Sequence, residues 1–226
     1  MKKKIKLILS KFNLLLYFNY IFVFFDNKKS THHSLNQFLI SIIKLFNNNN
    51  IKLIPFFGTL LGIYREGGVI AHDNDIDFAI IKNNKSHEII NFLINNNFTK
   101  VLDCYIQDTK ELILEKYKYK NFEIDIFYIY EEDNFYYFYD NESNSGLSTI
   151  EEISNNIIVY PYINRISKFE IDHIHVNKFN FFGSNNTKLL LSELYGDNFI
   201  NPDKYWRQSK RKNRKKTNYK LIINEY

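Results

Sequence analysis

Helical and extended segments alternate along this 226-residue chain, and they predict an α/β (α+β) protein: a mixed β-sheet flanked by helices, behind an N-terminal hydrophobic segment. Three observations carry that expectation. Apolar residues recur at helical spacing over 35–46, a glycine-hinged turn feeds an acidic strand, and three β-rich runs then follow one another with turn residues between them.

Residues 1–30 are basic, then hydrophobic. Lys2 to Lys4 precede an apolar run from Leu7 to Phe25, long enough at about 1.5 Å per residue to cross most of a hydrocarbon layer of about 30 Å. Lys11, Asn13 and Asn19 interrupt it, and Phe24-Phe25-Asp26 lacks the small residues of a processing site. The expectation is an uncleaved single-pass anchor with the N-terminus cytosolic and the main domain lumenal. The other reading is an amphipathic or loose leader on a soluble protein.

Ser34 to Gln37 makes a capping-box pattern, and Leu35, Phe38, Leu39, Ile42, Ile43 and Phe46 follow on one helical face. This places His32 and His33 at a helix entrance. Ile51 to Phe57 reads as a strand, Leu60 to Tyr64 as a short helix, Asp73 to Ile81 as a strand and Lys85 to Asn96 as a helix. Phe98 to Tyr105, Glu111 to Tyr117 and Phe122 to Tyr130 read as strands. A polar loop over Asn141 to Ser148 leads to strands at Ile157 to Tyr162 and Lys178 to Phe182, then to a helix from Thr187 to Tyr195 closed by Gly196. With 45% hydrophobic and 17% aromatic residues, the chain can bury one sizeable core, assigned to residues 31–206, and not a second domain.

Cys104 is the single cysteine, which excludes an internal disulfide or a cysteine zinc site in the monomer. His173 and His175 share a strand face and read as exposed strand histidines rather than ligands. The sequons at Asn84, Asn97, Asn141 and Asn185 are what chance supplies in so asparagine-rich a chain. Residues 207–226 form a basic tail. Its run from Arg207 to Lys216 holds most of the charge behind the net +5 and reads as solvated and mobile. No paired aromatic platform accompanies it, so nucleic acid is not the expected partner.

The chemistry concentrates in FFGTLLGIYREGGVIAHDNDIDF, Phe56 to Phe78. In an extended strand Asp73, Asp75 and Asp77 would share one face, about 7 Å apart. Three such charges repel by a few kcal/mol at an effective dielectric of about 20. Either a carboxyl held protonated or a hard cation bound by oxygen ligands offsets that, and Mg²⁺ suits carboxylates completed by water and phosphate. The competing reading is a solvated acidic edge strand. Gly58-Thr59 opens a helix just before, where unsatisfied N–H groups and the Thr59 hydroxyl make a seat for phosphate oxygens. Arg65 and the Gly67-Gly68 turn lie between seat and carboxylates. For Arg65 the alternative is a surface arginine paired with Glu66 or Asp73.

The string GTLLGIYREGGVIAHDNDIDF resembles the signature of the LicD family, which includes fukutin and fukutin-related protein, within the nucleotidyltransferase-fold superfamily. FEIDIFYI, bearing Asp125, is similar to a later strand of that family, and Tyr195, Gly196, Pro202 and Trp206 in LLLSELYGDNFINPDKYW resemble its closing segment. His72 stands where the family usually has an aromatic residue, the Ile63-Tyr64 pair is a local variation, and neither change removes a charge. The lone cysteine departs from relatives that carry a zinc insertion. The resemblance covers Leu35 to Trp206. It implies a nucleotidyltransferase-like sheet and a transferase moving phosphocholine, or a ribitol- or glycerol-phosphate-type group, from a CDP-linked donor to a glycan or other hydroxyl acceptor. In that reading Asp75, Asp77 and Asp125 hold Mg²⁺ or Mn²⁺, and Asp125 completes the metal site or takes the acceptor's proton. Asp73 contacts the ion through water or tunes its neighbours, while Gly58, Thr59 and Arg65 contact phosphate. Glu123, two residues before Asp125, is a rival third carboxylate. Two other readings stay open: a nucleotidyltransferase attaching NMP to a small molecule, and a non-catalytic polyanion-binding protein.

Overall fold

The computed structural model describes residues 15–83, 86–141 and 159–226, with side chains of the first helix described from His32 onward. The expected anchor over 7–25 and the polar loop beyond Asn141 therefore lie outside the described backbone or side chains. Among the described residues no helix is long and apolar enough to cross a membrane.

Helix α1 (Leu15–Asn48) contains neither Gly nor Pro, so nothing breaks it at Ser34, and the capping-box pattern does not start a helix there. His32 and His33 accordingly lie within a helix and not at its entrance. The expected stripe, Leu35 through Phe46, is buried. From the same helix His32 Nε2 donates to the Val69 carbonyl at 3.0 Å and Asn36 Oδ1 accepts the Val69 amide at 2.9 Å. Those two bonds pin the turn that leads into the acidic segment.

Strand β1 is only Ile54–Pro55, shorter than the expected Ile51 to Phe57. Pro55 has no amide for a ladder, and helix α2 (Phe57–Glu66) begins immediately after it. Gly67 ends α2 in the left-handed region at φ 68°, and Asn177 Nδ2 donates to the Ile63 carbonyl at 2.7 Å, covering a free helix-end acceptor. Strand β2 is Ile76–Ile81, α3 is Ser86–Asn95, and β3 to β6 are Thr99–Ile106, Leu112–Tyr119, Phe122–Glu132 and Phe135–Asp140. The next strand, β7, runs Tyr162–Ser167, starting where Ile157 to Tyr162 was expected to end. Strands β8 (Ile171–Val176) and β9 (Phe179–Ser184) form a hairpin, on which His173 and His175 are exposed as expected. Helix α4 is Thr187–Tyr195, with the Asn186 side chain accepting from the Leu189 amide and Gly196 following.

Among the described residues the result is a mixed α/β architecture of four α-helices on a large, mostly antiparallel sheet, ordered β10-β7-β6-β5-β4-β3-β11, where β10 is Arg214–Lys216 and β11 is Leu221–Glu225. Along one edge of β5, residues 124–129 pair in parallel with β2 and residues 129–132 pair antiparallel with β6, which splits the ladder. The main core joins α1, α2 and α4 to the sheet through Phe46, Phe56, Phe78, Tyr128, Phe138 and Leu191, and a smaller cluster gathers Leu102, Cys104, Ile113, Tyr139 and Leu221.

Residues 207–226 are not a solvated tail. Strands β10 and β11 close opposite ends of the main sheet. Arg211 is buried, ion-paired with Asp140, and donates to the Leu194 carbonyl at 3.1 Å, while Arg214 lies 3.2 Å from the same carboxylate. The buried Asp140 charge at the end of β6 draws both guanidiniums inward, because an unpaired buried carboxylate is strongly unfavourable.

Candidate metal centre

The start of α2 and the start of β2 are tied together through Asp77. The Phe56 amide donates to the Asp77 carbonyl at 3.0 Å, the Asp77 amide donates to Thr59 Oγ1 at 2.8 Å, and the Gly58 amide donates to the Asp77 carboxylate. Helix α2 starts at Phe57, earlier than the expected Leu60, so Thr59 falls inside the first turn and is 3% exposed. Its hydroxyl therefore positions β2 and does not line the neighbouring cavity, a correction to its expected place in a phosphate seat. Gly58 does face the site. A Cβ there would stand 2.6 Å from Asp73 Oδ2 and 3.5 Å from Asp77 Oδ2, so only glycine admits the carboxylates this close.

Asp77 and Asp125 are partners in the parallel β2–β5 register and share a face. Asp75 joins them, and one carboxylate oxygen from each of the three lies within 4.8 Å of the others. Strand β2 begins at Ile76, so Asp73 and Asp75 reach the site from the preceding loop and not by strand alternation. Asp73, whose amide closes a turn onto Ile70 at 3.0 Å, lies against Gly58 and outside the triad. Glu123, also outside it, is partly exposed and pairs with Lys116 at 3.4 Å.

Burial raises the Asp77 carboxyl well above the usual carboxylate range, and Asp75, Asp125 and Asp73 push the same way against the Gly58 amide. Asp125 is pushed up to about 6, first by burial, with Lys116 opposing and Asp75 adding. Asp73 is also raised, chiefly by burial. Lys116, the β4 partner of Asp125, holds its ammonium 3.4 Å from Asp125 Oδ1. Burial alone would lower the Lys116 pKa, but Asp125 and Glu123 outweigh it and the pKa rises.

Three carboxylates share one ammonium, which Glu123 also claims, so the centre keeps an excess of negative charge that a divalent ion would offset. Asp125 Oδ1 is buried with the Lys116 ammonium 3.4 Å away, a long contact that leaves its acceptor capacity incompletely used. An oxygen-only donor set with spare acceptor capacity fits a hard ion such as Mg²⁺ or Mn²⁺.

Beside the triad opens a cavity of about 470 Å³ that reaches Gly58 and Asp73 and is walled by Arg65, Tyr195, Trp206 and Arg207. Arg65 pairs with Glu66 at 2.7 Å, as its structural alternative held, and still lines this cavity. Lys116 was not among the expected site residues, Arg207 was expected only as the start of a solvated basic run, and Tyr195 and Trp206 entered only through the resemblance. The signal for Lys116 is the tight β4–β5 connection, Lys120 at φ 56° between Tyr119 and Phe122, which sets Lys116 opposite Asp125.

Residues 50–152 match the family described as LicD/FKTN/FKRP, nucleotidyltransferase domain. No curated protein matches the chain. The matched span holds Gly58, the triad and Lys116, and it implies a transferase of phosphorus-containing groups with nucleotidyltransferase-like activity.

Proposed function

We propose, from the premise that residues 50–152 form a LicD/FKTN/FKRP nucleotidyltransferase domain, that this chain moves a phospho-linked group from a CDP-activated donor to a hydroxyl of a glycan or similar acceptor. The supporting observation is the meeting of Asp75, Asp77 and Asp125 within 4.8 Å, beside a helix start and a cavity. A divalent ion bound there would supply charge neutralisation for the donor's phosphates and its departing nucleotide. Asp75, Asp77 and Asp125 would hold it. Arg65, anchored by Glu66 on the cavity wall, offers its guanidinium to a phosphate oxygen. Asp125, pushed up to about 6, is ionised at neutral pH and so is able to bind a cation or accept the acceptor's proton. Lys116 keeps the remaining carboxylates from repelling one another apart before substrate arrives.

The family's description favours a second reading, attachment of NMP to a small molecule, because the same acids serve both reactions. Polyanion binding is the third reading, and it has less charge to draw on than the basic run suggests, since Arg211 and Arg214 are engaged with Asp140. The test is incubation with a panel of CDP-linked donors and Mg²⁺ or Mn²⁺, with CMP release and product mass followed. Release of CMP with a phospho-group gained by the acceptor is expected, and a nucleotide retained on the acceptor selects the second reading. Asp75→Asn and Asp77→Asn should each lower turnover by orders of magnitude with the fold kept; near-normal turnover in both removes the metal mechanism.

A further inference from the structure

We infer that the cavity beside the triad seats the nucleoside half of the donor, with Trp206 as its stacking wall. This rests on the transferase reading and adds which side of the triad the leaving nucleotide occupies. The cavity reaches Gly58 and Asp73 but none of Asp75, Asp77 or Asp125 lines it, so its occupant lies next to the reacting phosphate and not on it. At about 470 Å³ it has the size of a small-ligand site.

The aromatic wall is braced from behind. Tyr195 and Trp206 lie with ring centroids 4.8 Å apart, and the Arg211 guanidinium stands 5.5 Å from the Trp206 ring. Arg211 is itself fixed by Asp140 and the Leu194 carbonyl. A ring held this way loses little freedom when a base stacks on it.

Charge separates a nucleotide from a neutral sugar. Arg65, Lys204 and Arg207 line the cavity against two carboxylates, Asp73 and Asp203. Arg207 Nη1 donates to the Trp206 carbonyl at 2.7 Å and the Lys204 carbonyl at 3.3 Å, which fixes a guanidinium beside the stacking ring. A rigid cation next to an aromatic face recognises a phosphorylated base. Lys116 and Glu123 flank the triad on the sheet side, and in-line displacement brings the acceptor in opposite the leaving group.

Trp206 is the single tryptophan of the chain, so its emission reports this cavity without a label. The full chain is titrated with CMP, with ribose 5-phosphate, which lacks the base, and with a neutral oligosaccharide. Saturable quenching by CMP alone is expected. By calorimetry, Trp206→Leu should weaken CMP binding by about tenfold or more while leaving divalent-ion binding unchanged, and Arg207→Ala should weaken CMP binding with Trp206 emission intact. If CMP leaves Trp206 emission unchanged while CMP is still released from a donor, the seat is wrong and the transferase reading stands. Quenching by the oligosaccharide and not by CMP assigns the cavity to the acceptor and also overturns it. CMP quenching with no turnover of any donor faults the transferase reading and keeps the seat.

Discussion

Replacing Asp125 by asparagine separates the electrostatics of the centre from its chemistry. Asp125 is 7% exposed, and burial, opposed by Lys116 and reinforced by Asp75, moves its carboxyl from 3.8 to about 6. A carboxyl raised on folding favours the folded state only while protonated. Its contribution is complete below 3.8 and is lost as pH rises through about 6. A gap of roughly two pH units at about 1.4 kcal/mol each makes the ionised group about 3 kcal/mol unfavourable above pH 7 when no metal is bound. Asp125→Asn keeps the shape and removes the charge. In EDTA it should therefore melt about 6–12 °C above the parent at pH 8 and close to the parent at pH 4. Mg²⁺ or Mn²⁺ should raise the parent's melting temperature at pH 8 by mass action and leave the variant's unchanged. Circular-dichroism melts at both pH values, with EDTA and with metal, measure all four conditions. A variant destabilised equally at pH 4 and pH 8, or one that the metal still stabilises, would mean that the buried Asp125 charge neither opposes folding nor holds the ion.

Gly58→Ala adds a Cβ 2.6 Å from Asp73 Oδ2, so divalent-ion affinity and turnover should both drop by calorimetry and CMP release. The melting temperature should hold, because alanine favours a helix over glycine by about 1 kcal/mol. Asp140→Asn leaves Arg211 and Arg214 without their shared buried carboxylate, and denaturant titration should show a loss of about 3–5 kcal/mol; a loss below about 1 kcal/mol would mean that Asp140 does not hold the two guanidiniums inward. Glu123→Gln should retain more turnover than Asp125→Asn, since Glu123 lies outside the triad, and the reverse order would make Glu123 the third ligand.

How far the fold was legible follows the range of each interaction. Helix α4 appeared with its expected bounds, Thr187–Tyr195, because its cap, its apolar spacing and its closing glycine are all local. The stripe on α1 and the strand bearing Asp125 were legible for the same reason. Strand β1 shrank to two residues because Pro55 and the early start of α2 compete for the same stretch, and that start turned Thr59 inward. Within the centre Asp75, Asp77 and Asp125 were named from the chain, while Lys116 was missed because its place opposite Asp125 needs the hairpin register of β4 and β5 to be counted out from a two-residue turn that carries no glycine.

Asp75, Asp77, the glycine-hinged turn before them and most of the helical faces are written in residue type and spacing over a few turns, whereas Asp125 replaces Asp73 in the triad through the β2–β5 register. Only the tertiary structure decided that Arg211 crosses 71 positions to meet Asp140, that Lys116 answers Asp125, and that Trp206 walls a cavity against Gly58. Those contacts follow from sheet order and strand register, which are settled by the collective burial of the core and leave no periodic trace in any one segment.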